Sequence, residues 1–200
     1  MQRITLATAS PTRQKLAKIM GLDFDVVVSD YIEDNSLCLP PPELAMELAF
    51  GKALDVSKKL SEGIVIGLDT FVFFNGKVIG KPKDRQDAFN MLKSFSGNCH
   101  EVYSGIAMID SKSGKIIKDF GMTKVYFSQM SDSEINSYIE TEEPLNKAGS
   151  YGIQDFGSIF IEKIEGDFFN VGGFPINNIY KNLKKMGVDI FECRAWKGKN

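Results

Sequence analysis

Apolar and polar positions alternate in two rhythms along this chain. Short apolar runs at Ile4–Thr8 and Phe24–Val28 predict strands. Between them Ser10-Pro11 opens a helix striped by Leu16, Ile19 and Met20 and ended by Gly21. Serine suits the capping position and proline the first helical one. After a proline-rich loop (Ser36–Pro42), residues Glu43–Leu60 carry a helical stripe of Leu44, Ala45, Leu48, Ala49, Ala53 and Val56. Lys52 falls on that stripe, so its cation must snorkel or face a polar site.

Gly63–Asp69 is a continuous apolar run with a carboxylate at its end, the pattern of a buried central strand. Phe71–Phe74 and Lys77–Ile79 flank Asn75-Gly76, a hairpin signal. Asp84 caps a helix to Phe95. Val102–Asp110, Ile116–Phe120 and Thr123–Phe127 read as successive antiparallel strands. Ser131 and Glu134 form a capping box for a helix to about Glu140. A glycine-rich stretch (Lys147–Gly157), a strand (Ile159–Ile164) and a helix (Ile176–Met186) complete the order, with a basic tail at 194–200. Helices and strands alternate first and a meander follows. That order predicts an α/β fold: a mixed twisted sheet with flanking helices, in two lobes around a cleft.

The 200 residues, 43% hydrophobic and 25% charged, suffice for a packed core without disulfides or a structural metal. One domain over 1–193 is expected. A net charge of −2 provides no basic field for nucleic acid. No run reaches the ~20 apolar residues of a membrane span, and the start lacks an apolar signal core, so the expected location is cytoplasmic. A single histidine, His100, excludes histidine-rich metal chemistry. Three widely spaced cysteines (Cys38, Cys99, Cys193) show no zinc or disulfide pattern.

Candidate chemistry concentrates in a few residues. Ser10-Pro11-Thr12-Arg13 places a helix N-terminus directly after a strand, which suits phosphate, and Arg13 adds a fork of donors. The alternative is a capped helix with a solvent-facing arginine. Asp69 stands where α/β sheets place ligands, able to bind a divalent cation, orient a water, or merely cap a turn. Lys52 and Lys81 supply compact cations for phosphate oxygens. Glu33, in an acidic patch with Asp30 and Asp34, is a second metal-binding carboxylate or a solvated loop residue.

Four segments, ATASPTRQKL, GLDTFVFFNGKVIGKP, AGSYGIQDFG and GDFFNVGGFPI, occur in the order of one family's signatures. The chain thereby resembles the Maf family of nucleoside triphosphate pyrophosphatases from about Thr5 to Ile190. The resemblance implies a fold like inosine triphosphate pyrophosphatases. It also implies hydrolysis of a nucleoside triphosphate to monophosphate and pyrophosphate with Mg²⁺ or Mn²⁺. Asp69 would be the catalytic acid–base residue, or would hold, with Glu33, the metal that activates the water. Ser10, Arg13, Lys52 and Lys81 would bind substrate, and a homodimer is implied. Thr12, Thr70 and Gln154 fall on specificity positions. The dTTP/UTP branch typically has Arg, Thr and Gln there, and the 7-methyl-GTP branch Trp, Gln and Glu. This chain matches the first branch at Thr70 and Gln154 and neither at Thr12. dTTP and UTP are therefore the expected substrates; the competing expectations are a 7-methyl-GTP or broader-range nucleotide pyrophosphatase, or a nucleotide-binding cell-division regulator with little turnover.

Overall fold

The computed structural model describes residues 3–33 and 37–191. The expected basic tail, Cys193 and Asp34 lie outside them. In chain order the elements are β1 (Ile4–Ala7), α1 (Pro11–Ile19), β2 (Asp25–Val26), α2 (Pro41–Ser57), β3 (Ile64–Phe74), β4 (Lys77–Ile79) and α3 (Arg85–Phe95). They continue with β5 (Cys99–Asp110), β6 (Ile116–Phe127), α4 (Asp132–Glu140), β7 (Ile161–Glu165), α5 (Phe168–Val171) and α6 (Ile176–Lys185).

Seven strands pair in the order β2-β1-β3-β5-β6-β7, with β4 on β3. β1 runs parallel to β2 and β3, whereas β3–β4 and β6–β7 are antiparallel, so the sheet is mixed as expected.

Two expected breaks are absent. The run to Asp69 and the first hairpin strand form one strand, β3, so Asp69 does not end it. Thr70 is β-branched and extends the strand without strain. Likewise Gly121 interrupts nothing, and Ile116–Phe127 is continuous. The second expected strand shrinks to Asp25–Val26, both exposed, because no apolar face is buried there. The short helix α5 carries too few residues for a periodic signal.

The chain forms two compact units: residues 1–69, 104–121 and 173–200, and residues 70–103 and 122–172. In the first, α2 packs on the sheet through small residues. Ala45, Ala49 and Ala53 are fully buried. A Cβ built on Gly67 would lie 2.3 Å from the Ala49 carbonyl oxygen, and one on Gly105 1.8 Å from that of Ala45. Only glycine permits this approach, and it brings the helix backbone down onto β3 and β5.

The second unit packs Val72, Leu92, Phe95, Val125, Phe127, Ile135, Tyr138, Tyr151 and Phe160 into one core. His100 is part of this packing. Its ring lies 4.4 Å from that of Phe95 and 5.4 Å from that of Phe127, and Nε2 hydrogen-bonds the Tyr151 hydroxyl at 2.8 Å. Nδ1 is buried without a partner.

Burial pushes the His100 pKa down to about 4 from 6.5. Between those values the unfolded chain binds a proton that the folded chain refuses, so stability falls as pH drops from about 6.5 to 4. The loss expected from this one group is about 3 kcal/mol. Urea unfolding from pH 7 to 4 should show it, with the wild-type advantage over His100→Gln shrinking across that interval. A constant gap would contradict it.

Candidate functional site

Lys52 lies three residues after Ala49 and one before Ala53, on the face that Gly67 draws onto β3. Its Nζ donates to Asp69 Oδ1 at 2.6 Å and stands 2.6 Å from Glu33 Oε1. The lysine and aspartate side chains are 15% and 9% exposed, that of Glu33 41%. The apolar-stripe lysine therefore does not snorkel to water; it carries an ammonium to two carboxylates.

On the β1 edge of β3, Asp69 lies between two paired stretches. The β1–β3 register runs from Ile4↔Ile64 to Ala7↔Gly67, and the hairpin register resumes at Val72↔Ile79. Asp69 thus lies just beyond the carboxyl end of β1 even though its own strand continues. That is the place where α/β sheets accept ligands.

Where β1 ends, α1 begins. Ser10 caps it, its hydroxyl accepting from the Arg13 amide at 3.4 Å, with Pro11 in the first turn. Thr12 is half-buried in that turn. Arg13 is not the solvent-facing side chain of the simpler reading. It is half-buried, Nε donating to the Gly173 carbonyl at 3.1 Å and Nη1 to that of Leu68 at 3.0 Å. Burial lowers its pKa while Asp69 and Glu33 pull the other way; guanidinium remains charged throughout. Both acceptors were invisible in the sequence, because backbone carbonyls carry no residue signature.

The acidic patch divides. Asp30 pairs with Lys59 at 2.8 Å, whereas Glu33 turns to Lys52. The structure brings Arg13, Glu33, Lys52 and Asp69 into one cluster of two cations and two carboxylates, with Ser10 and Thr12 at its helix.

Thr70, Lys81 and Gln154 belong to the second unit. Thr70 is half-buried in β3. Lys81 is exposed after β4, and the preceding Gly80 carbonyl accepts from the Gly149 amide at 2.9 Å. Gln154 is half-buried, and its Nε2 is buried without a partner. The Lys147–Asp155 ion pair flanks it. A groove in this unit, lined by Arg85, Phe89, Asn136 and Glu140, holds none of the candidate residues.

Among the described residues no group of three His, Cys, Asp or Glu could cage a metal. Mg²⁺ does not require one. It binds through one or two carboxylates and completes its shell with water and substrate phosphates. Glu33 and Asp69, both within reach of a single cation, fit that donor set.

A dTTP/UTP pyrophosphatase of Clostridium botulinum strain 657 is 49% identical over 195 residues, covering 95% of this chain and all of the relative. The dTTP/UTP pyrophosphatase of Clostridium novyi is 49% identical over 192 residues, covering 94% and 100%. That of Clostridium tetani is 49% identical over 191 residues, covering 92% and 98%. The family model described as Maf-like protein matches residues 3–186, and the chain belongs to that family.

Proposed function

We propose that this protein is a nucleoside triphosphate pyrophosphatase that converts dTTP and UTP to the monophosphate and pyrophosphate. One observation carries the reading: Lys52 shared at 2.6 Å between Glu33 and Asp69, beyond the end of β1, in a chain of this family. The relatives' activity as dTTP/UTP pyrophosphatases supplies the substrate.

In this reading water attacks the α-phosphorus, the bond to the bridging oxygen breaks, and pyrophosphate departs. Asp69 accepts the proton of the attacking water. Lys52 and Arg13 lie where charge develops on the phosphate oxygens and offset it. Ser10 caps the first turn of α1, where Pro11 has no N–H and the Arg13 amide is spent on the cap, leaving the Thr12 amide for an anion. A divalent cation held by Glu33 and Asp69 would polarise the phosphate oxygens. The cluster alone is formally neutral, so a triphosphate needs that added charge. Lys81 is assigned a phosphate contact, and Thr70 and Gln154 base selection. A cytoplasmic homodimer completes the proposal; sedimentation velocity tests the assembly. No helix among the described residues is long and apolar enough to cross a membrane.

Pyrophosphate release from a panel of dTTP, UTP, CTP, GTP and 7-methyl-GTP with Mg²⁺ tests the assignment. Fastest turnover of dTTP and UTP is expected. Preference for 7-methyl-GTP would reject the substrate, and absent turnover would favour a binding protein.

Thr12 supports a second, broader reading, since the charge typical of the pyrimidine branch is missing there. Thr12→Arg should then raise selectivity for dTTP over GTP roughly tenfold, the worth of one charge-assisted hydrogen bond. Gln154→Glu should lower it, because a carboxylate loses the amide donor. Unchanged selectivity ratios in both variants would remove these positions from base reading.

A further inference from the structure

Glu33 presents a problem that the site alone does not answer. It lies on a coil after β2 and is itself exposed, yet its carboxylate meets the half-buried Lys52 at 2.6 Å. Something must hold that coil on α2.

The hold is visible one turn along the helix. Asp55 stands three residues after Lys52, and its Oδ2 accepts three hydrogen bonds. The Ser29 hydroxyl donates at 3.0 Å, the Asp30 amide at 2.8 Å and Lys59 Nζ at 2.9 Å. Ser29 Oγ in turn accepts from the Tyr31 amide at 3.0 Å, and Lys59 also binds Asp30 at 2.8 Å. Lys59 and the Asp30 amide hold the Asp55 carboxyl below the usual carboxylate range.

A second contact is independent of charge. The Tyr31 ring lies against Gly51, the residue before Lys52. A Cβ built there would stand 2.3 Å from the ring. The coil is thus fastened to α2 by its backbone at Asp30 and by a ring at Tyr31. Both points lie within three residues of Glu33.

We propose that Asp55 and Gly51 are positioning residues: they seat the Ser29–Glu33 segment on α2 so that the Glu33 carboxylate is aimed at Lys52 and the reacting phosphates. Neither touches substrate. Their effect passes through Glu33, so the inference rests on the role assigned to Glu33 above.

Six variants test it. Asp55→Ala should lower kcat/KM for dTTP about tenfold, whereas Asp55→Asn, which retains an acceptor for Ser29 and Asp30, should recover most of it. Gly51→Ala should give a similar loss, because the ring must move. Glu47→Ala is the matched control: it breaks the ion pair between Glu47 of α2 and Lys118 of β6, in which residues 29–33 take no part, and should change nothing. The decisive measurement is non-additivity. Asp55→Ala combined with Glu33→Gln should be no slower than Glu33→Gln alone, since a misaimed residue cannot lose its function twice. Hydrogen exchange of amides 30–33 should also accelerate in Asp55→Ala.

Losses that multiply in the double variant would overturn the proposal, as would unchanged exchange in Asp55→Ala. If Glu33→Gln alone were silent while exchange accelerated, the anchor would be real but the role of Glu33 wrong. That outcome strikes the functional assignment, and positioning for catalysis falls with it.

Discussion

Asp69→Asn is expected to fold and to lose pyrophosphatase activity by at least ~10²-fold, the scale of general acid–base catalysis. Asparagine preserves the side-chain volume and an acceptor for Lys52, so packing at this 6%-exposed position changes little. What disappears is a basic oxygen able to take the proton of water. Lys52 keeps Glu33 as its counter-charge at 2.6 Å. Steady-state kinetics on dTTP with thermal unfolding of the same preparation separates chemistry from folding. Turnover within a few-fold of wild type would sink the catalytic assignment.

Lys52→Ala should damage both stability and catalysis. The side chain of Asp69 is 9% exposed, and without Lys52 it keeps a charge with no ammonium beside it. Removing one partner of a buried pair costs about 3–5 kcal/mol. Glu33, 41% exposed, recovers solvation easily, which places the expected loss near the lower figure. For a chain of this size each kcal/mol lowers Tm by about 2–4 °C. Turnover should fall roughly 10²-fold, as when one preorganised donor to a developing oxyanion is removed. Scanning calorimetry and kcat measured together decide it. A lysine that served only to cover the helix would give the opposite result, equal or higher Tm with unchanged turnover.

Much of this arrangement was legible in the residues. Ser10 and Pro11 announced the start of α1, because a hydroxyl that caps and a ring that fixes φ act within one turn. Ser131 and Glu134 announced α4 for the same reason, and both caps are present. Lys52 was conspicuous as a charge on an apolar stripe, and Asp69 as a carboxylate inside an apolar run. Each is a local violation of pattern, and local patterns are what a linear sequence records.

The strand that passes through Asp69 was not legible. Whether Thr70 ends a strand depends on what pairs beside it, and the neighbours of β3 in the sheet, β1 and β5, lie far away in sequence. Arg13 shows the same limit. Its sequence context suggested a phosphate fork or a solvated cation, whereas the fold gave it the carbonyls of Leu68 and Gly173, the latter 160 residues distant.

The α/β order, the helix caps, the family and the identity of the charged residues are readable from the linear chain, because these depend on neighbours within a turn or on motif content. That one ammonium serves two carboxylates emerges only from the folded arrangement. That pairing needs α2 lowered onto β3 through Gly67 and the Glu33 coil fastened by Asp55. Both are contacts between segments that only folding brings within a few ångströms.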